Sequence, residues 1–203
     1  MVTATATKNT ITLKGSTDTV SEFFQYALSS ILYQRGVYPA ENFEPQKKYG
    51  LTVMAVRDAK LCSYLQSVLR QFSEWLGSGT LQKVVLVVTS AFSKEVLERW
   101  TFDIQTNKAA VTGEDAPTEK SEAAITQEIQ AIIRQITASV TFLPLLNDTC
   151  TIDLLAYTDK ESEVPFEWEE SDPRYITSAA NVKLRSFSTS VHSVEALVSY
   201  KAE

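Results

Sequence analysis

Three segments of the chain carry apolar residues at intervals of three and four positions, the spacing of one face of an α-helix. The first begins near Ser16, a good N-cap residue, and ends at Gly36. The second runs over residues 58–77 and the third over about 121–141, where Pro144 prevents any continuation. The predicted buried stripes contain Val20, Phe23, Phe24, Ala27, Leu28, Ile31 and Leu32, then Leu61, Leu65, Val68, Leu69, Phe72, Trp75 and Leu76, and finally Ile125, Ile129, Ile132, Ile136 and Val140.

Other apolar segments are short or alternate with polar residues, and these predict β-strands. Residues 84–88 are apolar on both faces, which is typical of a central strand covered on both sides. In residues 96–104, Trp100, Phe102 and Ile104 share one face, and residues 150–157 also alternate. Further strands are predicted at 51–56, at 11–13, and as one or two terminal strands between Val182 and Tyr200.

The order of these elements predicts an α+β fold, a mainly antiparallel sheet with three helices packed on it, because helices and strands do not alternate regularly. Residues 1–10 are polar and without period, and they predict a flexible N-terminal arm. Loops are predicted between Pro39 and Pro45 and over residues 106–120. Residues 159–174 have no clear period and hold seven acidic residues against two basic ones.

Composition narrows the class of function. The 203 residues have a formal net charge of −6, with 44% hydrophobic and 22% charged residues, which is ordinary globular composition. The acidic balance argues against broad electrostatic binding of nucleic acid or of an anionic membrane. The N-terminus lacks a secretory signal pattern, and the longest apolar runs are too short to cross a bilayer, so membrane insertion is not expected.

Residues that could carry chemistry are few. Cys62, Cys150 and His192 have no metal-ligand spacing, and we expect two buried free thiols, a structural histidine, and neither metal nor cofactor. Phosphate-binding and nucleophile motifs are absent from the sequence. A small hydrolase or transferase is therefore disfavoured, since no set of nucleophile, base and orienting residue can be assembled.

Two surfaces remain as candidates for binding. Arg134, Gln135 and Phe142 lie beside or after the apolar stripe of the third helix, which is either an ordinary polar face or a docking surface. The irregular segment and the strands after it must dock on an existing sheet. An edge strand of that sheet can accept either this terminal segment or an extended peptide of a partner.

Several strings, read together, resemble the mitotic arrest deficient two family of HORMA-domain spindle assembly checkpoint proteins. The resemblance extends from Ile11 to Lys201, with departures at residues 106–118 and after Tyr200. The strings are ITLKGS at 11–16, EFF at 22–24, SILYQRGVYP at 30–39, KYGL at 48–51, EVLERW at 95–100, IIRQITA at 132–138, VTFLPLL at 140–146, YTDK at 157–160 and LRSFST at 184–189.

The resemblance implies a single HORMA domain over residues 11–203 and a non-enzymatic adaptor found at the kinetochore, in the nucleus and in the cytoplasm. Its expected partners are a kinetochore coiled-coil checkpoint protein, the activator of the anaphase-promoting complex, a second copy of the chain in an open–closed dimer, and a closed-state antagonist adaptor with a remodelling ATPase. Capture of the activator inhibits anaphase onset while chromosomes remain unattached.

The resemblance also implies two states of residues 159–203, here called the belt. In the open state the terminal strands occupy the edge around residues 149–157. In the closed state they move to the opposite edge, beside residues 96–104, displace the 11–13 strand and cross over a bound peptide.

These expectations carry over to individual residues. The peptide-binding edge is expected at Thr149, Thr151, Ile152, Asp153, Leu154, Leu155 and Tyr157. The belt is expected to act through Val164, Trp168, Val182, Leu184, Phe187, Val198 and Tyr200. The interface with a second copy or with the antagonist adaptor is expected at Arg134, Gln135, Thr141 and Phe142. The alternative is a sister HORMA adaptor that serves translesion polymerases or meiotic axis proteins; the strings in the first and third helices favour the checkpoint family.

Overall fold

A five-stranded antiparallel sheet organises the computed structural model, which describes residues 12–112, 120–160 and 162–202. The predicted arm at 1–10 lies outside the described residues. The helices are α1 (Leu13–Gln34), α2 (Ala59–Gly77), α3 (Lys108–Thr112) and α4 (Glu122–Ala138). The strands are β1 (Phe43–Lys48), β2 (Leu51–Val56), β3 (Leu81–Ser90), β4 (Val96–Thr106), β5 (Cys150–Thr158), β6 (Ala179–Ser188) and β7 (His192–Lys201). None of these helices is long and apolar enough to span a membrane.

The strand order in the main sheet is β5-β3-β4-β7-β6, and every neighbouring pair is antiparallel. The predicted α+β class is therefore confirmed, and β3 is central as its residues indicated. Val84 and Leu86 lie in the hydrophobic core, and Val85 and Val87 on the opposite face are also fully buried.

Each of the three long helices begins with a polar N-cap side chain. For α2 and α4 the N-cap residue is the one at which the sequence predicts the helix to begin. Asp58 accepts a hydrogen bond from Leu61 N at 2.9 Å, and Ser121 accepts one from Ala124 N at 3.2 Å. The first helix begins earlier than predicted, at Leu13, and is capped by Thr12. The predicted strand at 11–13 is therefore wrong for Leu13, while Ile11 lies outside the described residues.

The loop predicted between Pro39 and Pro45 is wrong in its second half, because β1 begins at Phe43 and pairs with β2. Pro45 is tolerated there because β1 is an edge strand of a two-stranded ribbon, where one N–H is not needed. Tyr49 and Gly50 join the strands with φ values of 52° and 69°, the left-handed pair that a tight hairpin requires.

The core lies between the sheet and the helices α1, α2 and α4. Phe23 and Phe24 of α1 contact Phe102 of β4 with ring centroids 5.8 and 5.4 Å apart, and Phe23 lies 4.8 Å from Phe187 of β6. One predicted core residue is wrong. Val140 is 44% exposed because α4 ends at Ala138 and a 3₁₀ turn over Ser139–Thr141 changes the direction of the chain.

The predicted loop at 106–120 also holds structure, since β4 continues to Thr106 and α3 follows it. Lys108 of α3 donates a hydrogen bond of 2.9 Å to Asp159, the first residue of the belt. This contact and a bond from Asp159 N to Thr80 O at 3.0 Å fix the start of the belt beside the end of α2.

Candidate functional site

Strand β5 is an edge of the main sheet. It pairs with β3 along its whole length, from Cys150 opposite Ser90 to Thr158 opposite Leu81. No strand among the described residues pairs with its outer side. The peptide groups on that side are therefore available to an additional strand.

The side chains of β5 alternate between two faces. Ile152, Leu154 and Ala156 pack toward the hydrophobic core, while Thr151, Asp153, Leu155 and Tyr157 face the other way. Thr149 precedes the strand, and its carbonyl oxygen accepts a hydrogen bond of 2.8 Å from Ala91 N. All residues expected to form the peptide-binding edge thus lie in one extended segment, held by the neighbouring β3.

The opposite edge of the sheet is covered. Strand β6 has a register irregularity between Lys183 and Ser186, and α4 packs against it. The Gln135 side chain accepts a hydrogen bond from Arg185 N at 2.6 Å, and Glu128 accepts one from Ser188 N at 3.0 Å. These bonds cover Arg185 and Ser188 on the β6 side, whereas no described strand pairs with the outer side of β5.

The terminal strands of the belt lie beside β4, far from β5 in the sheet. Val198 of β7 is opposite Trp100 and Tyr200 is opposite Glu98. Leu184, Phe187 and Val198 are buried, and Val182 and Tyr200 pack against the core. This is the strand order that the family resemblance assigns to the closed state.

Residues 159–178, here called the belt loop, connect β5 to β6 and pass around the free edge of β5. On the helix side, Trp168 contacts the rings of Phe72 and Trp75 of α2. On the opposite face of the sheet, Arg174 lies 3.9 Å from Asp153, and the Tyr175 ring lies over the Arg99 guanidinium. The chain between residues 168 and 174 therefore crosses from one face of the sheet to the other outside β5.

The belt residues expected to act differ in burial. Trp168 is half-buried, whereas Val164 is 57% exposed and packs little against the domain. Arg99, Arg174 and Tyr175 were not predicted as belt contacts. Their pairing joins segments about 20 to 75 residues apart in the sequence, and neither local periodicity nor composition carries a signal for it.

A buried hydrogen-bond network holds the turn between β6 and β7. His192 Nδ1 lies 2.6 Å from Ser16 Oγ of α1, and Nε2 lies 3.2 Å from the Leu76 carbonyl oxygen of α2. Ser16 Oγ also lies 2.5 Å from Thr189 Oγ1. Burial lowers the pKa of His192. Ser16 and His192 have almost no solvent access, so their contact serves structure rather than nucleophilic chemistry.

A buried ion pair joins α1, β4 and the segment after α4. Arg35 contacts Glu98 at 2.6 Å and donates a hydrogen bond of 2.5 Å to the Pro144 carbonyl oxygen. Trp100 Nε1 donates to the other carboxylate oxygen of Glu98 at 3.0 Å. This network sets the position of the loop that carries Phe142 relative to the sheet.

The residues expected to form an interface are brought to one end of α4, but not in equal roles. Arg134 and Thr141 are exposed, and Phe142 is 40% exposed, a large fraction for an aromatic ring. Gln135 is half-buried and bonded to β6, so it connects this surface to the belt.

Cys62 and Cys150 are free thiols as predicted, but both are only half-buried, so the expectation of two buried thiols is wrong. Burial raises the pKa of the Cys62 and Cys150 thiols, which keeps both protonated and weakly nucleophilic. Within the described ranges, no group of histidine, cysteine and acidic side chains has an arrangement that could hold a metal ion.

Comparison with known proteins agrees with this geometry. The HORMA domain family model matches residues 16–192. The chain is 57% identical over 201 residues to the mitotic spindle assembly checkpoint protein MAD2A of Dictyostelium discoideum, covering 99% of this chain and 98% of that protein. It is 52% identical to the human protein of the same name, covering 94% and 93% of the two chains.

Among solved structures, one chain of a mitotic checkpoint complex superposes with a TM-score of 0.86 at 45% identity, covering 93% of this chain and 99% of that one. The chain belongs to the HORMA-domain family and, within it, to the MAD2 proteins of the mitotic spindle assembly checkpoint.

Proposed function

We propose that this checkpoint adaptor acts by trapping an extended peptide on the outer side of β5, beneath the belt loop. The peptide comes from a kinetochore coiled-coil checkpoint protein or from the activator of the anaphase-promoting complex, and capture of the activator delays anaphase. The observation that carries the proposal is the free β5 edge with the belt loop passing around it.

The strength of such binding has two sources. Added main-chain hydrogen bonds contribute about 1 kcal/mol each, and apolar side chains of the peptide add to this. The belt loop contributes a kinetic term, because a strand beneath it cannot leave until the loop moves. Tight binding should therefore appear mainly as slow dissociation.

Conversion between open and closed states must break many contacts. Strand β7 pairs with both β4 and β6, and Val194 and Val198 are fully buried. Moving these strands to β5 requires local unfolding, so we expect slow exchange. A ligand that shifts the populations from 1:99 to 99:1 must prefer the closed state by about 5.5 kcal/mol.

The exposed end of α4 fits a second role in assembly. Arg134, Thr141 and Phe142 offer a cation and an aromatic ring on one surface, the residue types enriched at binding hot spots. We assign this surface to pairing of open and closed copies, and to the antagonist adaptor that acts with a remodelling ATPase. These partners correspond to action at kinetochores, in the nucleus and in the cytoplasm.

The proposal is tested by deleting the residues after Val191, which removes β7 and with it the attachment of β6 to the sheet. The full chain should retain a fluorescent peptide carrying the activator's binding motif with slow dissociation. The shortened chain, with its secondary structure checked by circular dichroism, should release the peptide rapidly. Slow release from the shortened chain would contradict the belt mechanism.

A further inference from the structure

Beyond its start at Asp159, the belt loop is attached to the domain at two places, one on each side of the free β5 edge. On the helix side, the inner clasp consists of Trp168 on Phe72 and Trp75. On the opposite face, the outer clasp consists of Arg174 beside Asp153 and Tyr175 over Arg99. From this geometry we infer that the inner clasp determines how much of the belt loop is free to move. Trp168 is then the positioning residue that controls how fast a trapped strand slides out. The inference rests on the peptide trapping proposed above.

The inner clasp combines an aromatic contact with a hydrogen bond. The Trp168 and Trp75 ring centroids are 5.1 Å apart at an interplanar angle of 66°, and Phe72 lies 6.1 Å away. Trp75 Nε1 donates a hydrogen bond of 3.1 Å to the Glu163 carbonyl oxygen, so the same indole holds the belt loop at two points. Phe72 and Trp75 are themselves buried in the core, which gives the clasp a rigid base.

The outer clasp is polar and more exposed. Arg174 lies 3.9 Å from Asp153 with side-chain exposures of 38% and 46%, and it also contacts Asp172 at 3.4 Å. The Tyr175 ring lies 4.8 Å from the Arg99 guanidinium but is 74% exposed. The Arg174 ion pair is exposed, so it contributes little and salt screens it, and in the cation–π contact only Arg99 is buried while the Tyr175 ring is open to water. The outer clasp should therefore open more often than the inner one.

The consequence is a division of roles along the belt loop. While Trp168 stays on α2, the chain that can move freely is limited to the few residues between the two clasps. When Trp168 leaves, the free chain extends from Val164, after the Glu163 carbonyl held by Trp75, to Arg174 of the outer clasp. A short strand with free ends can then slide along its own axis through the wider loop, although β6 and β7 remain in the sheet. A strand with a folded domain at each end cannot do so, because it needs the terminal strands to detach.

Two probes separate these routes: a short fluorescent peptide of the activator's binding motif, and the same motif fused at both ends to folded fluorescent domains. Trp168→Ala should accelerate release of the short peptide by about tenfold, the effect of losing an aromatic contact with two buried rings. Release of the doubly fused motif should change by less than about twofold, an effect of a few tenths of a kcal/mol. Trp168→Phe, which keeps a ring on α2, should restore most of the retention.

Phe166→Ala is the matched control, since it truncates an aromatic residue two positions away that is 91% exposed. It should leave the release of both probes unchanged. Arg174→Ala should accelerate short-peptide release by less than about threefold, and this difference should vanish at high salt.

The inference is overturned if Trp168→Ala behaves like Phe166→Ala, or if it accelerates both probes equally, which means a loss of the whole closed state. Failure of the wild-type chain to retain either probe would overturn the proposed function instead.

Discussion

His192 is the only histidine of the chain, and both of its ring nitrogens have buried partners. Because the Leu76 carbonyl can only accept, Nε2 carries the proton, and Nδ1 of the neutral ring accepts from Ser16. Protonation would place a second N–H against the Ser16 hydroxyl and a charge in a site that water does not reach. The network thus favours the neutral ring and holds the β6–β7 turn against α1 and α2.

Stability of the folded chain should therefore depend on pH through this residue. The pKa of His192 in the folded chain lies below the ordinary value of 6.5, so the unfolded chain binds the proton more readily. Above about pH 6.5 both states are neutral and stability is unaffected; as the pH falls toward 5, stability decreases by up to about 1.4 kcal/mol per pH unit. Urea denaturation measures this slope, which should be smaller in His192→Gln. An unchanged slope in that variant would exclude His192 as its source.

The Arg35–Glu98 pair gives a second prediction at this scale. Glu98→Ala leaves a buried guanidinium and the Trp100 N–H without their partner, and should lower the free energy of unfolding by about 3–5 kcal/mol. Glu95→Ala is the control, because its ion pair with Lys201 is half-exposed and should contribute less than about 1 kcal/mol. Equal losses in urea denaturation would show that the buried network does not depend on the charge pair.

At the scale of elements, α4 both covers one sheet edge and presents a binding surface. Gln135 and Glu128 bond to backbone N–H groups of β6, while Arg134 points to solvent. The surface around Arg134 is therefore connected to the belt position through adjacent residues of one helix. A partner that contacts this end of α4 can therefore distinguish a chain in which β6 lies beside α4 from a chain in which β6 lies elsewhere.

Arg134→Ala should abolish self-association and leave peptide binding measurable, because the side chain is exposed and lies away from β5. Analytical ultracentrifugation and peptide titration measure the two properties. Arg70→Ala, an exposed arginine on α2, serves as the control and should self-associate like the wild type. Wild-type self-association of Arg134→Ala would show that the interface is assigned to the wrong surface.

The elements that could be predicted from the sequence are those formed by interactions between residues close together in the chain. The apolar stripes of α1, α2 and α4 and the apolar run of β3 are local patterns, and the structure confirms these elements. Val140 continues the period of α4 but leaves the core, because the helix ends two residues before it. Strand β1 contains Pro45 and exposed polar residues, so its pairing with β2 depends on the Tyr49–Gly50 turn rather than on its own pattern.

At the scale of the whole molecule, the family resemblance described both positions of the terminal strands but did not decide between them. Residue patterns indicated only that the terminal segment docks on an existing sheet. The choice of β4 rests on contacts distant in sequence, such as Val198 opposite Trp100 and His192 beside Ser16. The path of the belt loop around β5 likewise depends on pairs of residues that only the folded chain brings together.

Hydrogen–deuterium exchange with and without the activator peptide tests the central claim most directly. A guest strand on the outer side of β5 would pair with about every second amide of that strand. Residues 150–158 should therefore gain protection on binding, while β7 stays protected through β4 and β6. Unchanged exchange in β5, with new protection at another surface, would contradict the account.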